Sequence, residues 1–94
     1  MREIKLFDRQ TDTDHQVLTA RITDAGDLIL EGQDLGPIAK EFWGDDEYEY
    51  SRTVTAAHVP AVLLHLISER FQSDTDFKAW LDAKGIASTF FNWP

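Results

Sequence analysis

The chain has 94 residues, a formal net charge of −8, 43% hydrophobic residues and no cysteine. This length suits one hydrophobic core, so we expect a single α+β domain over residues 1–94. The lack of cysteine excludes disulfides and thiolate zinc sites, and the shortage of Lys and Arg argues against a nucleic-acid surface, which needs clustered positive charge.

The composition also bears on location. The first eight residues alternate polar and apolar side chains and lack the apolar core of a signal peptide. No stretch has the length needed to span a bilayer, and an acidic surface is repelled by anionic lipid headgroups. We therefore expect a cytoplasmic protein that does not associate with membranes.

Three strands are predicted near the start of the chain. The first covers residues 4–7, and the second covers residues 17–23, where apolar and polar side chains alternate with the period of a half-buried strand. The segment 24–27 is typical of a tight turn, because Gly26 can take a positive φ at little cost. A third strand over residues 28–31 should therefore pair antiparallel with the second.

A helix, a fourth strand and a longer helix come next. Pro37 suits the first turn of a short helix ending near residue 42, because the N–H that proline lacks would be unbonded there. Residues 47–54 alternate as a strand whose aromatic face should be buried. Apolar residues recur at three- and four-residue steps over 59–71, which predicts a helix with one inward-facing stripe.

The last two predicted elements are a helix and a strand. The helix covers residues 74–84, with Ser73 as its cap and Gly85 at its left-handed end. Aromatic residues alternate over 88–93 and predict a closing strand whose exposed aromatic edge is a candidate homodimer surface. The order β-β-β-α-β-α-α-β predicts a two-layer α+β sandwich, an antiparallel sheet of four to five strands with two main helices on one face.

The negative charge lies in the first half of the chain. Residues 1–49 contain thirteen Asp or Glu against five Lys or Arg, whereas residues 50–94 contain four of each. The candidate partner-binding residues end this acidic half, and they are Trp43, Asp45, Asp46, Glu47 and Glu49. Such charges steer a basic protein partner, and an aromatic side chain beside them can anchor it. Charges on an edge strand also prevent it from pairing with the sheet of another molecule, and this role needs no binding partner. Partner binding and edge protection therefore both stay open as interpretations.

A second candidate site is a ligand pocket on the predicted fourth strand. Strict alternation places Tyr48, Tyr50 and Arg52 on one face. The guanidinium of Arg52 could receive an anionic group of a small ligand, or its stem could carry the charge to solvent.

Other chemistry finds less support in the sequence. Asp12 and Asp14 resemble the opening of a calcium loop, but the further ligands and the glycine do not follow. A hydrolase would need His58 or His65 to meet a carboxylate in a cleft. We therefore predict no metal, no cofactor and no catalytic residue.

Four segments of the chain carry a resemblance, and they are Leu30–Gly36, Gly44–Tyr50, Val59–Ala61 and Asp82–Ile86. They look like a family of small bacterial proteins of unknown function, over roughly residues 28–86. That family has no activity to transfer, so the resemblance implies no site residue. In size, acidity and α+β pattern the chain is also similar to toxin-immunity proteins, which occlude a toxin with an acidic face. Together these features predict a non-enzymatic protein-binding module, immunity- or inhibitor-like.

Overall fold

The computed structural model describes residues 2–93. The chain divides into two compact units, Met1–Pro60 and Ala61–Pro94, and each is described by itself.

The first unit is built on a four-stranded antiparallel sheet with the strand order β1-β2-β3-β4. The strands are β1 (Glu3–Gln10), β2 (His15–Ile22), β3 (Leu28–Leu35) and β4 (Glu47–Val54). A short helix, α1 (Pro37–Trp43), connects β3 to β4, and a 3₁₀ turn, Ala56–His58, follows β4. The sheet and the helices confirm the predicted α+β class.

The hairpin between β2 and β3 forms as the turn sequence predicts. Ile22 lies opposite Leu28, and Gly26 has a φ of +89°. The Thr23 N–H donates to the Asp27 carbonyl at 2.9 Å, and the Gly26 N–H donates to the Thr23 carbonyl at 2.9 Å. This closed turn fixes the register of the two strands.

The third strand is longer than the sequence predicts. The sequence predicts that it ends at residue 31, but β3 continues to Leu35. Gly32 is buried and lies opposite Tyr50, whose ring occupies the space that a side chain at residue 32 would fill. Gly32 therefore permits close approach of an aromatic ring rather than a chain reversal.

The second unit contains most of α2 (Val59–Arg70) and all of α3 (Asp74–Ala83). The signals predicted at the ends of α3 are confirmed. The Asp76 N–H donates to the Ser73 hydroxyl at 3.1 Å, and Gly85 takes a φ of +71°. The Ile86 N–H folds back to the Leu81 carbonyl at 2.9 Å and so closes the last turn.

The strand predicted over residues 88–93 is wrong. Residues 86–93 have no regular secondary structure, and the sheet has four strands. Alternation of aromatic residues is only a side-chain pattern. A strand also needs backbone hydrogen bonds to a neighbouring strand, and the pattern does not provide them. The homodimer predicted at these aromatic residues and the two-layer packing stay predictions.

Few residues are buried. Among residues 2–93, only Gly32 and Ala39 are buried. Ile67 and Phe71 of the predicted inward stripe are half-buried, whereas Leu63 and Leu66 are 55% and 58% exposed. Over the same residues, no helix combines the length and the apolar character that crossing a membrane requires.

Candidate functional site

The predicted partner-binding residues surround one edge of the sheet. β4 pairs with β3 from Leu35–Glu47 to Leu28–Val54, and within residues 2–93 its other edge has no strand partner. Successive side chains of a strand point to opposite faces. Glu47 and Glu49 therefore share one face, and Tyr48 and Tyr50 share the other.

The loop before β4 is held by backbone hydrogen bonds. Gly44 ends α1 in the left-handed conformation, with a φ of +81°, and its N–H donates to the Lys40 carbonyl at 2.9 Å. The Gly36 N–H donates to the Asp46 carbonyl at 2.8 Å, and the Glu47 N–H donates to Asp45 Oδ1 at 3.2 Å. These bonds fix the loop that carries the two aspartates at the edge of the sheet.

The four carboxylates of this segment have no cationic partner in the described part of the chain. No Lys, Arg or His nitrogen between residues 2 and 93 lies within 4.0 Å of them; the ion pairs found there are Arg2–Asp24, Lys5–Asp8, His15–Asp8, Arg21–Glu31 and Lys78–Asp82. Glu49 accepts a hydrogen bond from the neutral amide of Gln33 at 3.1 Å. All four residues, Asp45, Asp46, Glu47 and Glu49, are exposed. Their negative charge is therefore directed to solvent.

Three aromatic rings lie in a row on the other face of β4, and the first two of them are stacked. The rings of Trp43 and Tyr48 are parallel, with centroids 4.2 Å apart and an interplanar angle of 10°. Tyr48 and Tyr50 follow at 5.7 Å, and Tyr50 lies against Gly32. Trp43 remains 54% exposed. The stack fixes an indole ring at the edge of the sheet while leaving much of it open to solvent.

The second candidate site shares this aromatic face. Arg52 lies opposite Leu30 in the register and follows Tyr50 by two residues. It is exposed, and among residues 2–93 its guanidinium forms neither an ion pair nor a side-chain hydrogen bond. Alternation thus brings Tyr48, Tyr50 and Arg52 to one face of β4.

A groove of about 520 Å³ lies along β2, β3 and β4 and touches the acidic segment through Glu49. Its polar side chains are Thr19, Glu31, Gln33, Glu49 and Ser51. By alternation these residues lie on the face opposite Arg52. Of the two groove carboxylates, Glu31 pairs with Arg21, and Glu49 has no cationic partner within residues 2–93.

The predicted contact residues do not form one flat patch. Asp45 and Asp46 lie in the loop, Glu47 and Glu49 lie on one face of β4, and Trp43 stacks on the other face. These residues are therefore divided among the loop and the two faces of β4.

The sequence alone did not point to Gln33 or Gly36, which orient Glu49 and Asp46. Extending β3 past Gly32 would have placed Gln33 opposite Glu49. No local sequence signal pointed to Gly36, whose bond depends on the fold of the loop.

The groups considered for catalysis or metal binding are spread apart. Within residues 2–93, no cluster of three or more His, Asp or Glu side chains is placed to hold a metal ion. In the same range neither His58 nor His65 lies within 4.0 Å of a carboxylate, whereas His15 lies 2.9 Å from Asp8. Hydrogen bonds from Lys5 and His15 lower the pKa of Asp8, which lies on β1 at the opposite edge of the sheet.

Comparisons with known proteins add no relative. No protein-family model matches the chain, and neither curated proteins nor solved structures give a match. Function is therefore inferred from the chemistry of the residues themselves.

Proposed function

We propose that this protein is a non-enzymatic binding module that engages a basic protein partner, in the manner of an immunity protein or a small inhibitor. The contact surface is the acidic edge, which we define as Trp43, Asp45, Asp46, Glu47 and Glu49. The observation that carries the proposal is the set of four exposed carboxylates with no cationic partner within residues 2–93.

The carboxylates would act mainly on the rate of association. Exposed charges at the rim of an interface raise the on-rate for an oppositely charged protein, and their effect fades as salt screens them. No lysine or arginine within residues 2–93 forms an ion pair with Asp45 or Asp46, so no such ion pair would have to break before a cationic partner binds. We therefore expect capture of the partner to weaken steeply with ionic strength.

Trp43 would supply most of the short-range affinity. Its stack on Tyr48 limits the orientations of the indole before binding, which lowers the entropy lost when a partner covers it. A tryptophan at an interface centre is commonly worth about 2 kcal/mol or more.

The test is capture of proteins from a lysate of the source organism by the immobilised chain. The variant Asp45→Lys/Asp46→Lys is compared with Asp12→Lys/Glu69→Lys, which changes the net charge equally at two exposed carboxylates outside the acidic edge. We expect one basic protein to be retained at low salt by the wild type and by the control variant, and lost by the first variant. Equal capture of the same protein by both variants would overturn the proposal.

A small-molecule domain is the alternative, supported by one observation. Arg52 shares a face with Tyr48 and Tyr50, and its guanidinium has no described ion pair, so it is open to an anionic group. A thermal-shift screen of anions and divalent cations tests this alternative, because a ligand that binds only the folded chain raises its melting temperature. An anion shift that Arg52→Gln abolishes and Asp45→Lys/Asp46→Lys keeps would favour the alternative.

A further inference from the structure

The strand β4 has one edge that is bonded to β3 and one edge that is not. The Gly36 N–H donates to the Asp46 carbonyl at 2.8 Å, which fixes the phase of the β3–β4 ladder. In an antiparallel ladder, residues alternate between opposed pairs that exchange hydrogen bonds and opposed pairs that do not. Counting in steps of two from Asp46 directs the backbone groups of residues 48, 50, 52 and 54 toward β3. The backbone groups of residues 47, 49, 51 and 53 therefore point away from β3.

The loop before β4 uses the first of these outward groups. The Glu47 N–H donates to Asp45 Oδ1 at 3.2 Å, which agrees with the alternation, since an N–H directed at β3 would bond to that strand. Beyond Glu47, β4 pairs with β3 alone within residues 2–93. A helix cannot extend this ladder, because the backbone groups in its body are bonded within the helix itself. Only another extended segment can therefore pair with the outward groups of Glu49, Ser51 and Thr53.

The charges beside this edge decide which segment fits. Glu47 and Glu49 lie on one face of β4 and form no ion pair in the described range. Opposite charges across a ladder stabilise it, and like charges destabilise it. A second copy of β4 would bring its own carboxylates to the same edge, and residues 86–94 of this chain contain no Lys or Arg. The occupant with complementary charge is an extended basic segment of another protein.

The two faces of β4 also specify the side-chain pattern of that segment. Side chains of an added strand alternate between the same two faces. On one face they meet the glutamates, and on the other they meet Tyr48 and Tyr50. Tyr50 is 44% exposed and offers surface to an apolar side chain, whereas Arg52 on the same face repels a basic one. A complementary segment therefore alternates basic and apolar residues.

We propose that the basic partner binds by adding one extended strand, antiparallel to β4, along the outer edge of β4. Its Lys or Arg residues lie at alternate positions, opposite the glutamates. This inference rests on the proposed function and names the part of the partner that makes the contact. Main-chain hydrogen bonds supply the affinity in this mode of recognition, and alternate side chains supply the specificity. The antiparallel sense matches the three strand pairs of the sheet.

A labelled peptide that alternates lysine and valine over eight residues, the length of β4, tests the added strand by fluorescence anisotropy. Opposite Glu47 and Glu49, the lysines exchange backbone hydrogen bonds with β4, and the valines point theirs away. Methylating the backbone nitrogens of the lysines removes donors to β4 and keeps every charge. Methylating those of the valines removes only outward donors. We expect the first peptide to bind at least about 10-fold more weakly than the unmodified one, and the second to stay within about 3-fold.

A variant of the chain tests the same hydrogen bonds from the side of β4. Ser51→Pro removes one outward N–H and spares the bonds to β3, as proline does on edge strands. Ser51→Ala keeps that N–H and is the matched control. We expect Ser51→Pro to weaken peptide binding about 10-fold and Ser51→Ala to leave it unchanged, with folding checked by circular dichroism. If Ser51→Pro does not fold, the methylated peptides decide the question alone.

The outcomes separate this inference from the proposed function. A peptide that does not bind, or that loses affinity equally on methylation of lysines and of valines, would overturn strand addition. So would a folded Ser51→Pro chain that binds as the wild type does. If Asp45→Lys/Asp46→Lys still loses the basic protein in the capture experiment, the acidic edge recruits its partner without an added strand, and the proposed function stands.

Discussion

The indole of Trp43 lies flat on the ring of Tyr48, with a centroid distance of 4.2 Å and an angle of 10° between the planes. Trp43 is the last residue of α1, and Tyr48 is the second residue of β4. The contact therefore joins the end of a helix to an edge strand across the acidic loop. It couples the stability of this corner to the orientation of the exposed indole.

Replacing Trp43 tests both roles of this contact. We expect Trp43→Ala to lower the free energy of unfolding by about 1 kcal/mol, the range measured for aromatic pairs, in urea denaturation followed by circular dichroism. Binding of the captured partner should weaken by about 30-fold or more.

The neighbouring aromatic residue supplies the control for Trp43. Phe42 is 71% exposed and is not part of the stack on Tyr48. Phe42→Ala should leave stability and binding near the wild-type values. Equal losses in the two variants would show that the stack has no special role.

Gly32 and Tyr50 give a prediction about the sheet. A Cβ at residue 32 would overlap the ring of Tyr50, so Gly32→Ala should destabilise the chain by about 1–3 kcal/mol, as overpacking does. In a Tyr50→Ala background the ring is gone, and the same substitution should cost much less. A double-mutant cycle of urea midpoints measures this coupling. Additive effects would contradict the proposed overlap.

The sequence predicted local structure well where the cause is local. The turn at Gly26, the strand over residues 47–54 and the hydroxyl cap of Ser73 all depend on residues within a few positions of one another. Each of these elements is confirmed, but the expected burial of the strand's aromatic face is wrong, because Tyr48 is half-buried and Tyr50 is 44% exposed. The left-handed end of α3 at Gly85 is also confirmed.

The predictions from sequence are wrong where the structure depends on residues far apart in the chain. β3 runs through Gly32 because Tyr50, eighteen positions away, fills the missing side chain, and no local pattern indicates this. The strand predicted over 88–93 is wrong because alternation of side chains is a local pattern, whereas a strand also needs backbone pairing, and residues 88–93 pair with none of the four strands. For the acidic edge, alternation along β4 predicted that Glu47 and Glu49 lie on the face opposite Tyr48 and Tyr50. It did not predict that Trp43 stacks on Tyr48.

Asp14 provides a helix cap that sequence spacing does not reveal. Its Oδ1 accepts the N–H of Ile38, in the first turn of α1, at 3.0 Å. Asp14→Ala leaves that N–H without its partner, so we expect a loss of about 1 kcal/mol in the free energy of unfolding. Asp14→Asn keeps an acceptor oxygen and should recover most of it.

Asp12 is the control for the cap, since it is exposed in the same loop and makes no described side-chain hydrogen bond. Asp12→Ala should leave the urea midpoint almost unchanged. If Asp14→Ala also leaves it unchanged, the bond to Ile38 contributes nothing to stability.

The pH dependence of stability should follow Asp8. Its carboxylate accepts hydrogen bonds from Lys5 Nζ at 2.8 Å and from His15 Nε2 at 2.9 Å. The bond from Lys5, followed by the bond from His15, lowers the pKa of Asp8 in the folded chain. A lowered folded-state pKa contributes stability above the unfolded-state pKa, and this contribution disappears as pH falls through the folded-state value.

Asp8→Asn should therefore reduce stability at neutral pH, and the difference from wild type should shrink as the solution becomes acidic enough to protonate Asp8. The same bond raises the pKa of Lys5, so the difference should also shrink when strong alkali deprotonates that lysine. Urea midpoints of the wild type and the variant, measured across a pH series, show whether the stability difference shrinks at acidic and at alkaline pH. Glu69→Gln removes an exposed carboxylate with no described partner and is the control. Its stability difference from wild type should not change with pH in this way. A wild-type advantage that persists unchanged at low pH would mean that Asp8 acts through packing rather than through its charge.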